Sequence, residues 1–150
     1  MATPQTPKTA VVDASVALKW QLDDERESDQ ALALRDDLLI RKRIVLYAPS
    51  LYFYEVINGI TSAVRRQRLQ RSQGEEALRN LLAVEVTLRT PAADRTYTIA
   101  AEYGLSAYDS SYIALAESLA SDLWTADRAL YDAVSPQASR VRWIGDYPVA

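Results

Sequence analysis

Short apolar runs alternate with longer stretches of helical spacing along this chain. Runs of about four to eight apolar or β-branched residues predict strands, and apolar residues that recur every three or four positions predict helices. The strands fall at residues 9–12, 44–48, 84–88, 123–125 and 141–143, and the helices at residues 15–22, 23–41, 49–71, 72–83, 93–103, 106–120 and 127–134. Because strands and helices alternate, this order predicts an α/β fold of three layers, with helices on both faces of a parallel sheet of about five strands.

The helix predicted at residues 49–71 has an unusual polar side. Its apolar stripe is predicted to consist of Phe53, Ile57, Ile60 and Val64. At about 100° per residue, Glu55 points away from that stripe. The side it occupies also holds Asn58, Gly59 and Ser62. Glu55 is either an ordinary solvated glutamate or part of a cleft wall, and these small and polar neighbours favour the wall.

The composition indicates one compact domain. The chain has 150 residues, of which 49% are hydrophobic and 25% are charged, and this length is enough for a sizeable core. We expect a disordered tail at residues 1–8, which contains Pro4 and Pro7 but no apolar core, followed by the domain at residues 9–150. Neither a run of 18 apolar residues nor a secretory signal is present, so a cytoplasmic protein without a membrane span is predicted.

Two residue types are missing. The chain contains no cysteine and no histidine, which excludes disulfides, thiolate chemistry, histidine-ligated zinc and Ser-His-Asp catalysis. An enzyme of this composition must work with carboxylates, hydroxyls, Lys, Arg or Tyr. The net charge of −3 also argues against a protein that coats nucleic acids, since those carry a basic surface.

Two aspartates follow predicted strands. Asp13 follows residues 9–12 and Asp127 follows residues 123–125, so both belong to the sheet edge where ligands of open α/β sheets bind. Each has a simpler interpretation as the N-cap of the next helix. Ser15 and Thr125 are equally ambiguous, because each either caps a helix or holds a neighbouring carboxylate beside a metal.

Asp109 begins a helix face that continues through Ile113 and Ala116 and is expected to be buried. A buried carboxylate needs a partner, and no Lys or Arg lies between Arg95 and Arg128. The alternative is a capping box in which Ser106 is the N-cap. Four carboxylates at one edge would repel one another unless a hard divalent cation neutralised them, and oxygen ligands of this kind select Mg²⁺, Mn²⁺ or Ca²⁺.

Basic and aromatic residues near these acids are candidates for contacts with a nucleic acid. Arg65, Arg66 and Arg68 end the Glu55 helix and are either phosphate contacts or a solvated run favoured by the helix dipole. The paired tyrosines near the acids are either base-stacking groups or, more simply, core residues. They are Tyr52, Tyr54, Tyr108 and Tyr112.

Four stretches together resemble the motifs of the PIN domain family, specifically the VapC-type toxins of prokaryotic toxin–antitoxin pairs. They read VVDASV at residues 11–16, YEVIN at residues 54–58, AYDSSYIALA at residues 107–116 and LWTADRAL at residues 123–130. The resemblance spans residues 9–143 in the order and spacing of the family. Each motif alone is weak, but the set of four is fairly specific.

The resemblance implies a Mg²⁺- or Mn²⁺-dependent endoribonuclease, a hydrolase that is inhibited by a cognate antitoxin protein and often forms a homodimer. Asp13 and Asp109 would be the central metal ligands, and Glu55 and Asp127 would complete the acidic pocket directly or through water. The implied supporting residues are Ser15, Asn58 and Thr125.

Two other functions are open. A phosphoacceptor domain also uses a strand-end aspartate with Mg²⁺, but Ser15 stands where the phosphatase pattern needs a second acid, and only Arg128 follows Asp127 where a receiver needs a lysine. A non-catalytic PIN-like module that binds RNA or protein is the other alternative. The intact set of four acids argues against it.

Overall fold

The computed structural model describes residue 3, residues 5–22 and residues 26–149. The strands are β1 (Lys8–Val12), β2 (Ile44–Ala48), β3 (Val86–Leu88), β4 (Asp122–Thr125) and β5 (Val141–Trp143). The α-helices are α1 (Ala14–Leu18), α2 (Ser28–Leu39), α3 (Tyr52–Arg65), α4 (Arg71–Ala83), α5 (Ala93–Tyr103), α6 (Ala107–Ser118) and α7 (Arg128–Val134). A 3₁₀ helix at Ile144–Asp146 follows β5.

The five strands form one sheet in the order β3-β2-β1-β4-β5, and every neighbouring pair is parallel. The predicted α/β fold with a parallel sheet of about five strands is therefore confirmed. The chain adds β2 and β3 on one side of β1 and then β4 and β5 on the other. The strand order thus reverses between β1 and β4, and such a reversal opens a crevice at the carboxyl ends of the strands.

The core lies around β1 and α6. Val11 and Val12 of β1 are completely buried, as expected for a central strand covered on both faces. Every residue of α6 from Ser110 to Ala116 is buried, because α6 packs against β1 and β4 as well as against α5. This central helix carries Asp109 in its first turn, so a rigid element positions that carboxylate.

The predicted orientation of α3 is partly wrong, since Ile60 is the only residue of the predicted stripe that is buried. The buried residues of α3 are Tyr52, Val56, Ile60 and Ala63, whereas Ile57 of the predicted stripe is 37% exposed. The close packing of α1 on α3 explains the difference, because a Cβ atom on Gly59 would lie only 2.3 Å from Cδ1 of Leu18. Glu55 therefore lies beside the buried face of α3 rather than opposite to it.

Several element ends differ from the prediction. α1 ends at Leu18 instead of residue 22, and α3 ends at Arg65 because Gln67 adopts a positive φ of 60°. The strand β1 already includes Lys8, one residue before its predicted start. The remainder of the predicted tail stays a prediction, and residues 1, 2 and 4 lie outside the described residues, as do residues 23–25 of the predicted second helix. None of the described helices is long and apolar enough to span a bilayer.

Candidate active site

The four predicted acids lie at the carboxyl edge of the sheet. Asp13 directly follows β1, and Asp127 follows β4 after one intervening residue. These two strands are neighbours, and the N–H of Asp13 donates to the carbonyl oxygen of Trp124 in β4. Glu55 and Asp109 lie in the first turns of α3 and α6. Side-chain hydrogen bonds join Thr125 to Asp13 and Tyr112, in the helix of Asp109, to Glu55, so residues from distant parts of the chain form one acidic pocket.

Asp13 is buried, with 7% of its surface exposed, and hydroxyl groups hold its carboxylate. The hydroxyls of Ser15 and Thr125 donate to Oδ2 of Asp13 at 2.8 Å and 2.7 Å. The side chain makes no capping hydrogen bond to α1, so the N-cap interpretation of this carboxylate is wrong. Both hydroxyls bind Oδ2, and no side-chain hydrogen bond between the described residues involves the other oxygen, Oδ1.

Ser15 and Thr125 also fix the backbone that leads to Asp127. The N–H of Ala126 donates to Oγ of Ser15 at 3.0 Å, and the N–H of Asp127 donates to Oγ1 of Thr125 at 3.0 Å. Each hydroxyl therefore donates to Asp13 and accepts from the β4–α7 connection. The same two side chains set the spacing between Asp13 and Asp127.

Asp127 does cap its helix, because the N–H of Leu130 donates to its Oδ1 at 3.2 Å. Asp109 lies in a similar place, where the N–H of Asp109 donates to Oγ of Ser106 at 3.0 Å. Ser106 is thus the N-cap of α6, as the capping interpretation expected. These caps anchor both acids at helix N-termini, where the helix dipole favours negative charge.

Glu55 is partly buried and is held by Tyr112, for which only a base-stacking or core role was predicted. The hydroxyl of Tyr112 in α6 donates to Oε1 of Glu55 at 2.6 Å, and Tyr112 is completely buried. Tyr112 follows Asp109 by three residues and therefore shares its helix face. That spacing was the available signal for a polar role of Tyr112 in the pocket.

Burial and mutual repulsion raise the pKa values of three of the acids. Desolvation is the largest cause for Asp13, Glu55 and Asp109, and neighbouring carboxylates raise each pKa further. The opposing contributions come from hydroxyl groups, namely those of Thr125 and Ser15 for Asp13, of Tyr112 for Glu55 and of Ser106 for Asp109. In the described ranges, no ion pair joins Lys or Arg to any of the four acids.

This pocket has the donor chemistry of a site for a hard cation, because its carboxylate oxygens are uncompensated by basic groups. The carboxylates are nevertheless not assembled as ligands. In the part of the chain that the structure describes, no three acidic side chains are arranged so that they could already hold one ion. Hydrogen bonds orient Glu55 and Asp127 through one oxygen each, Oε1 of Glu55 and Oδ1 of Asp127.

Other predicted site residues lie outside the pocket. The side chain of Asn58 is exposed, and none of the hydrogen bonds between described residues joins it to an acid. Arg65, Arg66 and Arg68 are exposed at the far end of α3. At a rise of 1.5 Å per residue, Arg66 lies about 16 Å along the helix from Glu55.

The four tyrosines divide evenly between core and surface. Tyr52 and Tyr112 are buried, whereas Tyr54 and Tyr108 are 73% and 66% exposed. Each exposed tyrosine directly precedes an acid of the pocket, Glu55 or Asp109. Only this exposed pair has the accessibility that base stacking requires.

Comparison with known proteins gives a consistent result. A profile of the PIN domain family matches residues 10–135. The chain is 38% identical over 125 residues to the VapC ribonuclease Mb0985 of Mycobacterium bovis, and the match covers 81% of this chain and 88% of that protein. It is 30% identical over 124 residues to the ribonuclease VapC3 of Pyrobaculum aerophilum, and the match covers 80% of this chain and 90% of that protein. The crystal structure of PAE2754 from Pyrobaculum aerophilum is similar with a TM-score of 0.64 and 26% identity over 92% of each chain.

Proposed function

Because the chain belongs to the PIN domain family and is a ribonuclease of the VapC type, we propose that Asp13, Glu55, Asp109 and Asp127 bind Mg²⁺ or Mn²⁺ and that this site hydrolyses RNA internally. The observation that supports this proposal is the pocket at the strand-order reversal. Four carboxylates lie there without a basic partner among the described residues, and hydroxyl groups orient the most buried one.

The proposed site residues have different roles. Asp13 and Asp109 are proposed as the central ligands, because they extend from the central strand and the central helix. Glu55 and Asp127 complete the pocket, directly or through water. Ser15 and Thr125 keep Oδ1 of Asp13 directed to the ligand by binding its other oxygen. A bound divalent ion supplies an activated water and stabilises the leaving oxygen of the phosphodiester.

Loading the site requires small side-chain movements. Asp13 is already oriented by its two hydroxyl donors, but Glu55 and Asp127 are each engaged in another hydrogen bond. Because each of these bonds uses one oxygen, Glu55 and Asp127 would keep it while the second oxygen is available to a cation held by Asp13 and Asp109. The positive charge would offset the repulsion among the carboxylates, which adds to desolvation in raising the pKa values of Asp13, Glu55 and Asp109.

RNA reaches the pocket along surfaces that provide positive charge and stacking. Arg65, Arg66 and Arg68 are proposed to bind phosphates several nucleotides from the scissile bond, as their distance along α3 requires. Asn58 lies between them and Glu55 on the same helix. The exposed rings of Tyr54 and Tyr108 are suited to stack on bases beside the pocket.

We further propose that the chain is the toxin of a type II toxin–antitoxin module that acts in the cytoplasm, pairs with a cognate antitoxin and forms a homodimer. An apolar groove between α3 and α4 supports a protein partner. It has a volume of about 600 Å³ and is lined by Ile57, Ile60, Val64 and Leu78 among others. A partner that covered it would remove the exposed part of Ile57 from water.

RNA cleavage tests the proposed site directly. Linear and circularised single-stranded RNA are incubated with the protein and Mg²⁺ or Mn²⁺, with EDTA, and with the variants Asp13→Asn and Asp109→Asn. Loss of cleavage with EDTA and in both variants is expected, and cleavage of the circle identifies an endonuclease. Asp94→Asn is the matched control, because Asp94 also lies in the first turn of a helix but is exposed on α5. Cleavage that survives EDTA and both pocket variants would refute the assignment of these acids.

A further inference from the structure

A second feature lies at the same edge of the sheet, on the β5 side of the acidic pocket. The guanidinium of Arg128 lies over the ring of Trp143, with its Cζ 3.9 Å from the ring centroid. The ring of Tyr131 flanks this pair, at 5.6 Å from the guanidinium and 6.0 Å from the ring of Trp143. Arg128, Trp143 and Tyr131 thus form a layered group, named here the β5 stack.

The sheet register places the β5 stack beside the acids. Trp143 ends β5 and is the register partner of Thr125 in β4, and adjacent strands lie about 4.8 Å apart. Thr125 in turn contacts both Asp13 and the backbone of Asp127, and Arg128 directly follows Asp127 in the chain. The β5 stack is therefore displaced from Asp13 by two strand spacings, about 10 Å.

The positive charge of Arg128 is left largely unneutralised by the described residues. Its ion pair with Asp132 is long, at 3.9 Å, and both side chains are more than half exposed, so this pair contributes little. One face of the guanidinium rests on Trp143, and 57% of the side chain is exposed. A flat cation with one face fixed on an indole and with N–H groups at its edge suits a nucleotide, whose base stacks and whose phosphate accepts hydrogen bonds.

We propose that the β5 stack is a nucleotide subsite for single-stranded RNA, in which a base adjacent to the scissile phosphate stacks on the outer face of Arg128. This inference rests on the proposed function for the identity of the ligand. Trp143 acts as the positioning residue, because its ring lies 3.9 Å from the guanidinium carbon and supports one side of the group. The competing interpretation is structural: the same contacts only stabilise the packing of α7 against β5.

Binding without cleavage tests the proposal. A fluorescently labelled single-stranded RNA is titrated with Asp109→Asn protein in EDTA, and anisotropy gives the Kd. Adding Arg128→Ala is expected to weaken binding about tenfold, because stacking of one base on a side chain contributes on that order. Arg128→Lys keeps the charge but loses the planar group. Compared with Arg128→Ala, it is expected to recover less than half of the loss in RNA affinity, measured as log Kd. Arg140→Ala, an exposed arginine before β5, is the matched control and is expected to change Kd less than about twofold.

The ligand offers a second control. In a series of RNAs, each molecule carries one abasic nucleotide at a different position. At one of these positions, the missing base is expected to weaken binding to the protein that contains Arg128 but not to Arg128→Ala. Equal Kd values for Arg128→Ala and Arg140→Ala would overturn the proposal, as would full recovery by Arg128→Lys or a lower melting temperature with unchanged RNA binding. Because this assay needs neither metal nor cleavage, its outcome is independent of whether the acids hydrolyse RNA.

Discussion

The hydroxyl of Tyr112 donates a 2.6 Å hydrogen bond to Glu55, although the two residues are 57 positions apart in the chain. This bond joins the central helix α6 to the first turn of α3. It fixes the carboxylate of Glu55 beside the acidic pocket and at the same time satisfies a phenol that is otherwise fully buried. The position of Glu55 therefore depends on α6 as much as on its own helix.

Tyr112→Phe removes this hydroxyl and keeps the ring that fills the core. We expect affinity for Mn²⁺ to fall about tenfold, because a hydrogen bond to a charged group contributes about 1.5–3 kcal/mol and the released Glu55 is no longer positioned. Isothermal titration calorimetry at neutral pH measures the change. Tyr147→Phe is the matched control, since the hydroxyl of Tyr147 donates to Asp37 in α2, outside the pocket. An equal loss of Mn²⁺ affinity in both variants would contradict a specific role for Tyr112.

Asp13→Asn tests the electrostatic cost of the pocket. The amide keeps an oxygen that accepts from Thr125 and Ser15 but carries no charge, so burial no longer penalises it. Without metal at neutral pH we expect the melting temperature to rise by several degrees, given that about 1 kcal/mol corresponds to about 2–4 °C in a chain of this size. Mg²⁺ should raise the melting temperature of the wild type but not of the variant. A variant that melts lower than wild type in EDTA would show that the carboxylate itself stabilises the fold.

The raised pKa values also predict the pH dependence of stability. Asp13, Glu55 and Asp109 hold protons more tightly in the folded protein than at their ordinary values of 3.8, 4.5 and 3.8. The folded state therefore binds more protons than the unfolded state, and these groups destabilise the metal-free protein as pH rises above those values. The reference is the triple variant Asp13→Asn, Glu55→Gln and Asp109→Asn, and both proteins are unfolded by urea in EDTA. We expect the urea midpoint of the wild type, relative to that of the variant, to decrease as the pH is raised from about 4 to 7. Saturating Mg²⁺ should reverse that trend, and a difference that rises with pH would contradict the raised pKa values.

Gly59→Ala tests the packing that orients α3. The new Cβ would meet Cδ1 of Leu18 at 2.3 Å, so the end of the Leu18 side chain must move, and overpacking relieved in this way costs about 1 kcal/mol, the low end of its usual range. We expect a loss of that order in the free energy of unfolding by urea. The same substitution in a Leu18→Ala background should cost much less, because the clashing methyl groups are gone. If Gly59→Ala is equally costly in both backgrounds, the close approach of α1 and α3 is not the cause.

Much of the fold and part of the pocket could be predicted from local patterns. Strand ends are marked by abrupt changes from apolar to polar residues, which placed Asp13 and Asp127 at the correct edge. The orientation of α3 could not be predicted, because Phe53 and Tyr52 begin two competing apolar stripes. The choice between them depends on Leu18, which packs against Gly59 from a distant segment.

The contacts of the acids were harder to predict than their positions. Asp13 has the sequence context of an N-cap, yet its side chain binds Ser15 and Thr125 instead. Asp127 has the same context and does cap its helix. The difference arises from the pairing of β1 with β4, which brings Thr125 to Asp13 from 112 residues away. No pattern within one segment carries that information.

The pairing of β1 with β4 also determines when a newly made chain can complete its acidic pocket. Asp13 is synthesised early, but its partner Thr125 and the neighbouring Asp127 leave the ribosome only after more than a hundred further residues. During most of translation the nascent polypeptide lacks half of the pocket. A partial product that ends before β4 therefore lacks the residues that complete the proposed active site.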